Sequence, residues 1–176
     1  NEAELRDMMY TALLSGVPFA IRYPRGRGTG ADWSGAFRRL ETGRGETLRK
    51  GEDTVVLAIG TVVNDALQAA ARAEKEGIST EVVNMRFAKP LDTALLHDVG
   101  KRFRRIVTVE DGTVEGGMGS AVAEFISSHG YGSEIIRLGI PDKFIHHGTI
   151  AELKRLCGYD TEGILTAIRR TADKQQ

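Results

Sequence analysis

Arg22-Tyr-Pro-Arg-Gly26, with Arg27 just after it, is the stretch best suited to hold an anion. Pro24 fixes φ and keeps the chain extended. Gly26 lets the backbone turn sharply without a Cβ clash. Arg25 is therefore presented from a rigid point, and its planar guanidinium can make two hydrogen bonds to one phosphate or carboxylate. The ordinary alternative is a surface ion pair, which contributes little.

Two other stretches carry candidate chemistry. Glu110-Asp-Gly-Thr-Val-Glu-Gly-Gly-Met-Gly-Ser120 follows an apolar run and opens a helical one, a place where backbone N–H groups can hold an anion. No Lys precedes Ser120, so it is not a P-loop, and the dinucleotide spacing is absent. Its own acidic residues would repel a phosphate. A tight turn or a subunit contact through small residues 112–125 is the plainer reading. His146-His147 are adjacent on an irregular segment and point apart, a poor metal chelate. His97 and His129 read as solvated helix residues. No Ser-His-Asp order or nucleophile elbow is present.

Lys+Arg and Asp+Glu both number 24 in 176 residues, so bulk charge gives no pull toward nucleic acid or an anionic membrane. Cys157 is the single cysteine, which excludes an internal disulfide and suits a cytoplasmic setting. No apolar run reaches the ~18 residues of a membrane span. The chain opens Asn1-Glu-Ala-Glu, which reads as the interior of a longer polypeptide.

The elements that must position these residues alternate. Residues 2–15 have helical spacing and end at Gly16; Val17 to Tyr23 reads as a short strand stopped by Pro24. Residues 54–59, 80–85, 105–109 and 133–138 are apolar, β-branched runs, and a shorter one lies near Thr47 and Leu48. Between them run helical patterns at 61–76, 92–101 and 119–128, with two more after Thr149 and after Asp160 or Thr161. Thr61, Asp92 and Thr149 are expected N-caps, and Gly77 a helix stop. Residues 171–176 are expected to fray. Strand, helix, strand at this spacing is a right-handed βαβ unit. The fold class is α/β: three layers, α/β/α, around a mostly parallel sheet.

Taken together, Arg22-Tyr-Pro-Arg-Gly26, Val83-Asn-Met-Arg-Phe-Ala-Lys-Pro-Leu-Asp92, Val107-Thr-Val-Glu-Asp111, Gly116-Gly-Met-Gly-Ser120 and Leu138-Gly-Ile-Pro-Asp-Lys-Phe-Ile145 resemble the C-terminal third of the 1-deoxy-D-xylulose-5-phosphate synthases of the transketolase family. The resemblance implies residues 1–35 as the tail of a middle, pyrimidine-binding domain, 36–52 as a linker or edge segment, and 53–176 as a transketolase C-terminal domain. It implies a synthase that condenses pyruvate with D-glyceraldehyde 3-phosphate for isoprenoid and thiamine precursors. Thiamine diphosphate and Mg²⁺ would serve the complete enzyme, none being expected on this chain. The missing N-terminal and middle domains and a second copy, as a homodimer, are the implied partners. No catalytic, cofactor or metal residue carries over; Arg25 carries over as the ligand of the acceptor's phosphate. The chain alone is expected to be inactive and structural. The alternatives are another transketolase, a 2-oxoacid dehydrogenase β subunit, whose aromatic-rich tail is absent, or a stand-alone interaction module.

Overall fold

A computed structural model describes residues 1–172. Among them five strands form one sheet in the order β1-β3-β2-β4-β5. These are β1 (Glu46–Arg49), β2 (Thr54–Ile59), β3 (Thr80–Asn84), β4 (Arg105–Thr113) and β5 (Glu134–Ile140). The pairs β3–β2, β2–β4 and β4–β5 are parallel, and β1 closes the β3 edge antiparallel with a bulge between Thr47 and Arg49. All four expected core strands are thus neighbours.

Side chains alternate across β2. Val56 and Ala58 face one core with α2 (Val62–Lys75) and α6 (Thr161–Ala172); Val55 and Leu57 face another with α3 (Thr93–Arg102) and α4 (Met118–Ser128). Burial on both faces explains why the strand is continuously apolar. A fully buried Val or Leu stabilises by about 1.5–3 kcal/mol. An exposed ion pair such as Arg169 with Glu76 contributes about 0–1 kcal/mol, so burial holds the unit together.

Helix ends follow residue type where a side chain can cap. Asp92 accepts from the Leu95 N–H at 3.0 Å, and Asp160 from the Gly163 N–H at 2.9 Å. Thr149 and Glu152 form a reciprocal capping box at the start of α5 (Ile150–Cys157). Thr61 departs from expectation: its backbone is already helical, and its hydroxyl makes no cap. Gly77 does end the α2 region at φ 81°. Of the stretch expected to fray, 173–176 lie outside the described residues.

One expected element is absent. α1 spans Glu2–Ser15 as read, but 17–23 forms no strand. The segment is mostly exposed and pairs with none of the strands among the described residues. An apolar run becomes a strand only where a neighbour completes its hydrogen bonds.

Candidate functional site

The carboxyl ends of parallel strands are where α/β sheets place ligands, and the N-terminal segment lies across them here. At the end of β3, Asn84 Nδ2 donates to Glu4 of α1 at 2.8 Å. Arg86, a non-glycine residue at φ 55°, donates through Nε to the same Glu4 carboxylate at 2.8 Å and through its other nitrogen to Glu46 of β1. Its N–H is held by Asn84 Oδ1 at 3.1 Å, which supports the left-handed backbone. Helix α1 is thereby pinned to the sheet edge.

At the end of β4, Glu110 is buried and aims at the N-terminus of α4. Its carboxylate accepts the Met118 N–H at 2.9 Å and the Gly119 N–H at 2.8 Å. The anion at this helix start is therefore the chain's own. That gives the glycines their reason. A Cβ on Gly117 would lie 2.3 Å from Glu110 Oε2, and one on Gly119 would lie 2.4 Å from Thr108 Oγ1. The strand also runs further than its apolar residues indicate, through Thr113, so Glu110 and Asp111 belong to β4. Next to it, the Tyr159 hydroxyl donates to Asp111 at 2.8 Å. Burial, with the Asp111 carboxylate, pushes that phenol well above its ordinary value.

Arg22 reaches this corner: its guanidinium lies 3.9 Å from where a Gly112 side chain would begin. Arg25 follows on an exposed turn and makes no hydrogen bond or ion pair with the described residues. The two arginines of the motif therefore differ, one resting on the sheet end and one facing outward. His146 and His147 are exposed on the segment after β5. His97 and His129 are not simply solvated as expected. His97 Nδ1 lies 2.8 Å from the Tyr131 hydroxyl, and the two imidazoles meet edge to face with centroids 4.7 Å apart beside Phe125. Helices α3 and α4 bring them together, which neither helix pattern alone could reveal. Among the described residues no group of three His, Cys, Asp or Glu is arranged to hold a metal.

Residues 43–164 match the family described as transketolase, C-terminal domain. The chain belongs to that family. The strand ends carrying Asn84, Arg86, Glu110 and Asp111 fall inside the transketolase C-terminal domain match, as does Tyr159; Arg22 and Arg25 precede it. Among curated proteins the chain is 52% identical to a 1-deoxy-D-xylulose-5-phosphate synthase of Bacteroides thetaiotaomicron over 93% of its length. It is 50% identical to the Bacteroides fragilis synthase over 97%, and 49% identical to that of Aquifex aeolicus over 96%. It spans 26–27% of those relatives' own length. A solved chain titled as a split-gene transketolase in an inactive β4 tetramer superposes with a TM-score of 0.70 at 33% identity, covering 79% of this chain and 44% of the other. The resemblance carried by the sequence motifs is thus matched along nearly the whole chain.

Proposed function

We propose that this chain is part of a synthase that joins pyruvate, with loss of CO₂, to D-glyceraldehyde 3-phosphate, giving 1-deoxy-D-xylulose 5-phosphate. The observation that carries the reading is 52% identity over 93% of the chain to a protein of that name. Arg25 is the residue of this chain that meets the substrate, binding the phosphate of the acceptor aldehyde. Its support is local: an exposed guanidinium between Pro24 and Gly26 that makes no hydrogen bond or ion pair with the described residues, three residues after Arg22, which comes near the end of β4 at Gly112.

Thiamine diphosphate and Mg²⁺ belong to the same reading but not to these residues. The helix start that follows the Gly-rich turn is filled by Glu110, and the described residues offer no metal donor set. Bound in the complete polypeptide, the cofactor would supply an electron sink for the decarboxylation, and no step of that chemistry is assigned to this chain. Residues 1–35 act as the tail of a pyrimidine-binding middle domain, 36–52 as a linker and 53–176 as the C-terminal domain, in a cytoplasmic homodimer. The uncovered apolar side chains of Met9, Leu13, Leu14 and Val17 along and after α1 support a further domain packed there.

The test is turnover of pyruvate and the aldehyde phosphate, with thiamine diphosphate and Mg²⁺, by the complete synthase polypeptide and by residues 1–176 alone. Product from the first and none from the second is expected. Turnover by residues 1–176 alone would overturn the assignment of the reaction centre to the rest of the polypeptide.

A further inference from the structure

We propose that Glu2 is a positioning residue whose carboxylate clamps the Thr29–Gly30 turn onto α1 and so sets where the loop presents Arg25; this rests on the phosphate-binding reading of Arg25 given above.

Residues 22–30 leave the sheet at one end and are tied to α1 at the other. The Arg22 guanidinium comes near the end of β4 at Gly112. At the other end Glu2 accepts from the Thr29 hydroxyl at 2.7 Å and from the Gly30 N–H at 2.7 Å. The Thr29 hydroxyl first, and then neighbouring backbone N–H groups, hold the Glu2 carboxyl down at about 2, so it is charged throughout the neutral range. A charged acceptor strengthens both bonds.

The spacing of glycines in Arg25-Gly-Arg-Gly-Thr-Gly30 fits this clamp. A Cβ on Gly28 would lie 1.9 Å from Glu2 Oε1, so the carboxylate occupies the space that any side chain there would need. Gly30 turns the chain at φ 76°, a conformation that favours glycine. The clamp is also referenced to the sheet. Two residues along α1, Glu4 is held by Asn84 and Arg86 at the end of β3. Arg25 itself makes no hydrogen bond or ion pair with the described residues, and the bonds of Glu2 to Thr29 and Gly30, four and five residues on, are the polar tie that holds its loop.

The experiment is steady-state kinetics on the complete synthase, with Glu2→Ala, Gly28→Ala, Arg25→Ala and the Glu2→Ala/Arg25→Ala double variant. Each is assayed with D-glyceraldehyde 3-phosphate and with unphosphorylated D-glyceraldehyde as acceptor, alongside thermal melting. Gly28→Ala displaces only the end of a flexible side chain, so it removes the clamp by a second route. Both clamp variants should raise the KM for the aldehyde phosphate about threefold to thirtyfold. The pyruvate KM and the KM for the unphosphorylated aldehyde should be unchanged, and Glu2→Ala should add little once Arg25 is gone. If Arg25→Ala raises the aldehyde-phosphate KM but the two clamp variants do not, the clamp is wrong and Arg25's role stands. If Arg25→Ala leaves that KM unchanged, the phosphate-binding reading fails and takes the clamp with it. Equal rises for both acceptors, or a kcat that falls in step with melting temperature, would mean that Glu2 serves only general structure and would overturn the proposal.

Discussion

Asp7 has no exposed side chain, yet it is placed to carry a charge. Burial alone would raise its pKa. Hydrogen bonds from the Arg6 guanidinium, and from the N–H and guanidinium of Arg38, outweigh this and hold it below the ordinary 3.8. With Thr11, whose hydroxyl accepts the Leu40 N–H at 2.8 Å, it staples residues 38–40 back onto α1. Because the folded pKa is the lower one, the stabilisation is complete well above the unfolded value and is lost as pH falls through the folded value. Melting of the natural chain should therefore drop more steeply than that of Asp7→Asn as pH falls through and below 3.8. At neutral pH the same variant should cost about 1–3 kcal/mol, because the arginines lose a charged acceptor. Parallel melting curves across that pH range would show that Asp7 does not hold the staple.

Helix α4 depends on an acceptor that comes from outside it. Gly117, its N-cap, offers no side chain, and Glu110 on β4 supplies the missing carboxylate from across the turn. Gly117→Ala would push a methyl into that carboxylate and into the Thr113 carbonyl, 2.4 Å away. Losing the cap should cost about 1–3 kcal/mol, seen as a melting temperature several degrees lower. Gly132→Ala, where a Cβ meets nothing within 4 Å, should melt almost as the natural chain does. Equal melting of the two variants would mean that the Glu110 bonds contribute nothing. The turn's glycines were legible in the sequence, but their reason was not. The donors that satisfy Glu110 lie eight and nine residues on, and nothing in a local pattern marks which acidic residue turns inward. The parallel strands β2, β3 and β4 were legible because each is largely buried on both faces; β5, at the sheet edge, is only partly buried and was marked by Ile135, Ile136 and Leu138. Residues 17–23 looked the same as those strands, yet a strand is a property of a pair, and the run itself cannot say whether a partner is beside it. Caps by Asp92, Thr149 and Asp160 followed from residue type alone; Thr61 did not, because its backbone had already entered the helix.

At the scale of the whole molecule, one sheet lies between two cores, and α1 is tied by polar contacts to the carboxyl end of β3. Val56 lies at the centre of the first core with no exposed surface. Val56→Asp would bury an unpaired carboxylate there and should abolish folding or cost several kcal/mol. A soluble variant with unchanged melting would place Val56 outside the core. The long-range ties that join α1 to the sheet run through Glu4, Asn84, Arg86 and Glu46, and link positions more than 35 residues apart. Sequence spacing marks these residues as polar and says nothing of their partners. The motif around Arg25 could be read only as a rigid arginine; nothing in it showed that its neighbour Arg22 comes to the end of β4 near Gly112.

The most direct measurement is the KM for D-glyceraldehyde 3-phosphate in Arg25→Ala of the complete synthase, taken together with its melting temperature. A charge-assisted hydrogen bond contributes about 1.5–3 kcal/mol, so the KM should rise roughly tenfold to over a hundredfold. Melting and the pyruvate KM should stay as they are, because Arg25 has no protein partner among the described residues and pyruvate carries no phosphate. A normal aldehyde KM with a lowered melting temperature would contradict the role of Arg25 and make it a structural residue.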